Sequence, residues 1–247
     1  MSIWGKIIGG TAGLALGGPI GALLGLTVGA AVDASVSAAT GGSENTKQIT
    51  FTIGVIALSA KMAKADGQVT RQEVDAFKTV FRVPQSEMVN VGKVFDLARQ
   101  HTAGFDAYAR QLATLMKNHR HVLSDVLEAL MFIAKSDGHV HPNELNFIRA
   151  VAKIFYYTPV EIDSFVHRHV GADPECPYTV LGVKPDIDDK TLKKKYRNLV
   201  RESHPDYLIA QGVPSDMIAV ATRRAAEINT AYDEIVKSRS GAANYAN

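Results

Sequence analysis

Apolar residues in the middle of the chain recur every three or four positions, which is the period of an amphipathic helix. Examples are Val74, Phe77 and Phe81, and later Val126, Leu130 and Ile133. Stripes of this kind follow one another over residues 48–171 and leave little or no room for strands. The pattern predicts a bundle of six or seven short helices in an all-α chain.

The N-terminal region, residues 1–34, is apolar without such a period. From Ile7 to Val32 there are 26 residues without a charge. As a helix they would extend over about 39 Å, enough to cross a bilayer, so we expect a transmembrane helix. A cleaved signal peptide is the alternative, with Lys6 as its basic end, but its apolar core is normally only about 7–15 residues long.

Glycines recur every fourth residue within this stretch. They are Gly9, Gly13, Gly17, Gly21, Gly25 and Gly29. This spacing places small residues along one ridge, where a second helix can approach closely, and predicts a homodimer through the transmembrane helix. The alternative is that glycine is simply common in membrane helices. The order of the oligomer stays open.

Two polar stretches mark further boundaries. Residues 35–47 are rich in Ser, Thr, Gly and Asn and predict a flexible linker, and residues 240–247 predict a disordered tail.

The net charge of +2 requires no acidic partner, so electrostatic recognition must come from a local patch. The single cysteine, Cys176, excludes an internal disulfide and a zinc module of the CxxC type.

The bundle contains an internal repeat. Ala63-Lys64-Ala65-Asp66-Gly67-Gln68-Val69-Thr70 is followed by Glu73, and the matching segment 71 residues later runs from Ala134 to His141 and is followed by Glu144. Each copy predicts a helical hairpin, because Asp-Gly ends a helix and Thr70 or Pro142 begins the next. Thr70 and Glu73 have the spacing of a capping box.

This repeat resembles the TerB family of tellurite-resistance proteins. The resemblance implies an acidic cluster of Asp66, Glu73, Asp137 and Glu144, whose carboxylates suit a divalent cation such as Ca²⁺ or Mg²⁺. Helix capping is the alternative role of the glutamates.

Paired histidines at 119/121, 139/141 and 167/169 are expected at the surface, and no motif for self-contained catalysis is present.

The C-terminal part, residues 172–239, predicts a short turn at Tyr178–Val183 followed by two helices. The first is amphipathic and ends at His204, because Pro205 disfavours helical geometry in the residue before it, so we expect His204-Pro205-Asp206 to begin a loop. Its exposed basic residues are Lys190, Lys193, Lys194, Lys195, Arg197 and Arg201. The second helix, from about Met217 to Val236, offers Ala221, Ala225, Ile228, Ala231, Tyr232 and Ile235 to close an antiparallel pair.

Together these elements resemble a complete J-domain. The residues that carry the resemblance are Tyr178, Leu181, Gly182, the basic helix with Tyr196 and Leu199, His204-Pro205-Asp206, and Ala226-x-Ile228-Asn229-x-Ala231-Tyr232. It implies docking on an Hsp70 chaperone of the DnaK type through the basic helix and the tripeptide His204-Pro205-Asp206, with ATP hydrolysed by the partner. Nucleic-acid binding is disfavoured, since acidic residues offset the basic helix elsewhere in the domain.

The order of the three parts is similar to that of the bacterial family of DnaJ-like membrane anchor proteins. The segment from Ile209 to Pro214 resembles the enlarged loop of that family. The resemblance implies a co-chaperone of the inner membrane that spans it once, with its C-terminal domains in the cytoplasm. The alternative is that the bundle is an ion-responsive or stress-responsive interaction module and that the J-domain only recruits a chaperone.

Overall fold

The computed structural model describes residues 18–28, 43–65, 70–100, 104–170, 176–215 and 218–245. These residues contain helices and turns but no strand, which confirms the predicted all-α fold. The helices before the C-terminal domain are α1 Gly18–Val28, α2 Ser43–Met62, α3 Arg71–Phe81, α4 Met88–Gln100, α5 Phe105–Leu115, α6 Arg120–Ala134, α7 Pro142–Ile154 and α8 Pro159–Val170.

Helix α2 lies at the centre of the bundle and is buried on nearly all sides. Its apolar residues between Ile49 and Met62 are at most 6 % exposed, and α4, α5, α6 and α7 pack around it. Its hydroxyl side chains are buried as well. Thr50 donates to the carbonyl of Thr46 (2.7 Å) and Ser59 to that of Val55 (3.0 Å). These bonds within the helix remove most of the cost of burying a hydroxyl.

The second copy of the repeat forms the predicted hairpin, α6 with α7, whereas in the first copy α3 packs mainly against α6. The predicted capping box is present: the N–H of Glu73 donates to Thr70 Oγ1 (3.1 Å), and the N–H of Thr70 donates to the Glu73 carboxylate (2.7 Å). In the second copy, the N–H of His141 donates to the Glu144 carboxylate (3.0 Å). The Asn143 amide donates to the carbonyl of Ala65 (3.2 Å) and joins the two copies.

Helix α1 packs onto the bundle against α4 and α5. Ile20 and Leu23 are fully buried, and the Ile20 N–H donates to Gln111 Oε1 (3.1 Å). The remainder of the predicted span over Ile7–Val32 lies outside the described residues. Within the part of the chain that is described, no helix is both long and apolar enough to cross a bilayer.

The C-terminal domain contains α9 Pro177–Leu181, α10 Asp189–Glu202, α11 Pro205–Ala210 and α12 Ala219–Tyr245. Helices α10 and α12 form the predicted hairpin, and α9 packs against α12. Together they enclose a small core, separate from that of the bundle. It consists of Leu181, Leu192, Ile228, Ala231 and Ile235.

The end of the hairpin next to the tripeptide packs into the bundle instead. Its apolar residues belong to the bundle's core: Leu208, Val213, Ile218, Val220 and Ala221. The prediction that Ala221 packs within the hairpin was therefore wrong, because this residue packs in the bundle. The helical period of apolar residues identifies a buried residue, but it does not say which of two domains buries it.

Three boundaries differ from those predicted. Residues 43–47, expected in the linker, begin α2, and residues 240–245, expected in the tail, end α12. Both stretches lack proline and extend helices that are packed elsewhere, so each added residue forms a hydrogen bond without a new nucleation cost. Pro205 begins a helix rather than a loop, because proline is favoured at the first helical position.

Gly54 provides a test of the packing around α2. A Cβ at this position would lie 2.7 Å from Leu112 Cδ2 and 3.0 Å from Ile20 Cδ1, and both side chains are fully buried. We expect Gly54→Ala to lower the free energy of unfolding of the full chain by about 1–3 kcal/mol, although alanine favours helices. Denaturant unfolding measures the difference.

Gly92 is the matched control, because it also lies inside a helix but has no atom within 4 Å of a Cβ. Gly92→Ala should raise the free energy of unfolding by up to about 1 kcal/mol. If both variants were stabilised alike, the close approach of α1, α2 and α5 at Gly54 would be contradicted.

Candidate partner-docking surface

Helix α10 is fixed at its start by Asp188 and presents its basic residues outward. Asp188 Oδ1 accepts a hydrogen bond from the Thr191 N–H (2.9 Å), and the bonds from Thr191 lower the pKa of Asp188. Leu192 is buried on the inner side. We call the exposed cations the basic face: Lys193, Lys194, Lys195, Arg197 and Arg201. Among the described residues, none of these five has an acidic partner within 4.0 Å.

Tyr196 holds α10 against α12. Its ring stacks on that of Tyr232 with centroids 4.0 Å apart, and its hydroxyl donates to Asn229 Oδ1 (3.0 Å). At the start of α10, the Arg239 guanidinium pairs with Asp189 and donates to the carbonyl of Pro185 (3.1 Å). These contacts at several levels fix the hairpin, so the basic face keeps a constant orientation to the tripeptide.

The tripeptide lies between α10 and α11. His204 is the N-cap of α11, and its Nδ1 accepts a hydrogen bond from the Asp206 N–H (3.2 Å). An acceptor at Nδ1 places the proton of the neutral ring on Nε2, which leaves an N–H available for a partner. The side chains of His204 and Asp206 are 57 % and 88 % exposed, whereas Pro205 is partly buried.

The predicted docking residues are thus brought together at one end of the domain. The basic face belongs to the last three turns of α10, and the tripeptide follows that helix directly. The structure leaves both accessible at the same time. A partner with an acidic surface could contact the lysines and arginines while its neighbouring groups reach His204 and Asp206.

The sequence did not indicate the bundle residues that contact the J-domain, at Tyr207 and Arg224. The ring of Tyr207 lies 4.9 Å from that of His121 in α6. Arg224 Nη1 lies 3.0 Å from Asp125 Oδ1 and donates to Ser124 Oγ (3.1 Å). The available signal was indirect: Leu208 and Val213 are apolar side chains in a segment that the hairpin cannot bury.

Two of these bundle residues have shifted pKa values. Burial, together with repulsion from His119 and Arg224, lowers the pKa of His121 to about 4. Burial raises the pKa of Asp125 to about 6, although the Arg224 guanidinium acts in the opposite direction. His121 is therefore neutral near pH 7 and Asp125 is mostly ionised beside Arg224.

The four residues expected to bind a divalent cation are only partly described. Asp66 lies outside the described residues. Glu73 and Glu144 are 5 % and 3 % exposed and cap α3 and α7, and Asp137 accepts from the His139 N–H (3.0 Å). In the part of the chain that can be examined, no three His, Cys, Asp or Glu residues are grouped as metal ligands. The site stays a prediction.

The glycine seam is described at two of its six positions. Gly21 and Gly25 lie in α1, where Gly21 is buried within the chain itself. The remaining positions, Gly9, Gly13, Gly17 and Gly29, lie outside the described residues. Dimerisation through this seam stays a prediction.

The low pKa of His121 predicts a dependence of stability on pH. Between about pH 4 and 6.5 the unfolded chain binds more protons at this residue than the folded chain, so its contribution to stability is lost as the pH falls. Wild type should lose about 1 kcal/mol more than His121→Gln between pH 7 and pH 5, since solvent screens part of the effect at this half-buried side chain. Denaturant unfolding at both values measures the difference.

Asp125 has the opposite effect on the pH dependence of stability. Between about pH 4 and 6 the folded chain binds more protons at this residue than the unfolded chain, so its ionisation lowers stability as the pH rises. The comparison must therefore be made between wild type and His121→Gln, in which Asp125 is unchanged. Parallel pH profiles for the two proteins would show that His121 titrates normally in the folded chain, contrary to its burial beside Arg224.

Three family models match successive parts of the chain. They are the Co-chaperone DjlA transmembrane domain over residues 1–46, Tellurite resistance protein TerB over residues 52–166, and the DnaJ domain over residues 176–243. The matches agree with the predicted membrane anchor, bundle and J-domain. No solved structure shows significant similarity to the chain.

Curated relatives align with about four fifths of the chain. The Co-chaperone protein DjlA of Aliivibrio fischeri is 28 % identical, with 81 % of this chain and 83 % of the relative aligned. The proteins of the same name from Vibrio parahaemolyticus and Escherichia coli K12 are 29 % and 26 % identical, with 80 % and 81 % of this chain and 81 % and 83 % of those proteins aligned. With matches to a DjlA membrane-anchor region, a TerB bundle and a DnaJ domain in this order, the chain is similar along nearly its whole length to the DjlA-type J-domain co-chaperones.

Proposed function

We propose that the chain stimulates ATP hydrolysis by a cytoplasmic Hsp70 chaperone of the DnaK type. The observation that carries the proposal is the simultaneous exposure of the basic face and of His204 and Asp206 at its end. The chain itself hydrolyses nothing in this account. It supplies binding energy that favours the hydrolysis-competent state of its partner.

The first step is electrostatic encounter. The five cations of the basic face lack acidic partners among the described residues, so their field is available to an acidic surface of the chaperone. Such complementarity mainly raises the association rate and depends on salt concentration. Since Tyr196 and Arg239 hold α10 in place, the backbone that carries these cations needs little further ordering on binding.

The second step is contact by the tripeptide. His204 and Asp206 are held by the cap of α11, which limits the orientations of the imidazole and directs its Nε2–H away from the backbone. A partner acceptor could bind this N–H while a partner cation pairs with Asp206. Contacts that are stronger in the hydrolysis-competent state would shift the chaperone toward it.

Topology follows from the need for ATP. An Hsp70 partner works where ATP is present, so we place the C-terminal domains in the cytoplasm and the anchor region that precedes α2 at the bacterial inner membrane; the match to a transmembrane-domain family supports the anchoring. We propose a single pass, with the amino terminus across the membrane.

His204 gives the central prediction. Single-turnover ATP hydrolysis by a DnaK-type chaperone should accelerate when the detergent-solubilised full chain is added, and His204→Gln should abolish the acceleration. His204→Asn should abolish it as well, because asparagine can preserve the cap of α11 but lacks Nε2. Circular dichroism of each variant checks that the helices remain.

Two results would be decisive against parts of this account. Stimulation by His204→Asn equal to that of wild type would show that the helix cap, not the imidazole, is required. No stimulation by folded wild type with any DnaK-type chaperone tested would contradict the proposed function itself.

A second candidate function is ion sensing by the bundle. It is favoured by the bond from Asn143 to the carbonyl of Ala65, which joins the two copies of the repeat. If Ca²⁺ or Mg²⁺ binds there, the ion should stabilise the full chain by about 2.7 kcal/mol at 100 times its Kd.

Asp137→Asn is the informative variant, since asparagine can still accept the bond from the His139 N–H but has lost its charge. Thermal unfolding with and without each ion should show stabilisation of wild type and little or none of the variant. Identical melting temperatures of wild type with and without both ions would contradict ion binding.

A further inference from the structure

The segment after the tripeptide has no role in the proposed binding of the chaperone, yet it is the part of the J-domain most deeply buried in the bundle. We define the docking segment as residues 207–215 together with residues 218–224. Leu208 is 1 % exposed and Val213 is 5 % exposed, although both lie outside the helices of the hairpin. Such burial far from the hairpin's own core requires a second function for these residues.

The apolar contacts of the docking segment are well packed. Leu208, Val213, Val220 and Ala221 meet side chains of α2, α3 and α6, and a cavity of only about 20 Å³ remains between them. The bundle residues at this contact are Phe51, Val55, Phe81, Val122, Val126 and Ala129. Since Phe51 and Val55 belong to the central helix, the docking segment completes the bundle's own core.

Polar contacts surround this apolar centre. Arg224 is held by Asp125 (3.0 Å) and Ser124 (3.1 Å), and these three side chains belong to α12 and α6. The Arg223 guanidinium lies 3.8 Å above the ring of Phe132. A largely buried arginine with a fixed carboxylate partner defines one arrangement of the two helices, because any shift would leave both charges unpaired.

We propose that the docking segment anchors the tripeptide-bearing end of the J-domain to the bundle, and that the bundle thereby positions His204-Pro205-Asp206 for the chaperone. The J-domain then works as one unit with the bundle rather than as a module on a tether. His121, Asp125, Leu208 and Arg224 are positioning residues in this mechanism. The part of the inference that concerns the chaperone rests on the proposed function, whereas the docking of the two domains does not.

The geometry agrees with positioning rather than occlusion. Leu208 is buried, but its neighbour Ile209 is 41 % exposed and Tyr207 is 37 % exposed. The basic face also remains exposed in the docked arrangement. Docking therefore fixes the tripeptide from behind and leaves its outer side accessible.

The first experiment measures docking without a chaperone. Nitroxide labels are placed at Lys153→Cys in α7 and Lys237→Cys in α12, both exposed positions, in a Cys176→Ser full chain. Pulsed electron resonance should give one narrow distance distribution. Leu208→Asp should broaden it, and the matched control Ile209→Asp should not, because the same charge is then placed in solvent. Arg224→Ala should broaden it too, and Arg224→Lys should restore part of the order.

The second experiment measures positioning. In the ATPase assay, Leu208→Asp and Arg224→Ala should raise the concentration for half-maximal stimulation at least about fivefold, with the maximal rate unchanged. Ile209→Asp should behave as wild type. A fall in the maximal rate with loss of helical signal would mark an unfolded Leu208→Asp variant, and Arg224→Ala then decides the question.

Each outcome separates the two claims. A broad distribution for wild type, equal to that of Leu208→Asp, would overturn docking. If Leu208→Asp and Arg224→Ala broadened the distance distribution but left the concentration for half-maximal ATPase stimulation unchanged, the positioning role would be overturned. An inactive wild type with one narrow distribution would refute the proposed function and with it the positioning, while docking would stand.

Discussion

Burial of helix α2 (Ser43–Met62) is the constraint on which the rest of the structure depends. A helix that is apolar on nearly all sides is stable in water only when other helices surround it. The surrounding positions are filled by α1, α4, α5, α6 and α7 and, at Phe51 and Val55, by the segment that follows the tripeptide. The buried hydroxyls of α2 are satisfied by its own carbonyls, so the neighbours need to supply only apolar surface.

The consequence for function is that two domains share one core. The J-domain keeps a small core around Leu192 and Ile228 for its own hairpin, and it places a second set of apolar residues in the bundle. The tripeptide lies between these two fixed points. A membrane-anchored co-chaperone built in this way would present its chaperone-binding surface in a defined direction relative to the bundle, instead of at the end of a mobile tether.

Much of this arrangement could be predicted from the sequence, since it depends on local chemistry. Helical periods, the Thr70–Glu73 capping box and the order of motifs around His204-Pro205-Asp206 each have a signature within a few residues. The contact between Arg224 and Asp125 joins residues 99 positions apart, and no local pattern records it. The apolar residues Leu208 and Val213 were visible, but their partner was not. The start of α2 at Ser43 was missed for a related reason, because packing further along α2 extends a helix into a polar sequence.

The most direct test of the account is where the chaperone touches the chain. A photo-crosslinking residue would replace Lys194 on the basic face in one full-length protein and exposed Val89 on the bundle in another. We expect a crosslink to an ATP-bound DnaK-type chaperone from position 194, lost when the chaperone's acidic surface is neutralised, and none from position 89. A crosslink from position 89 alone would contradict it and would place partner binding on the bundle.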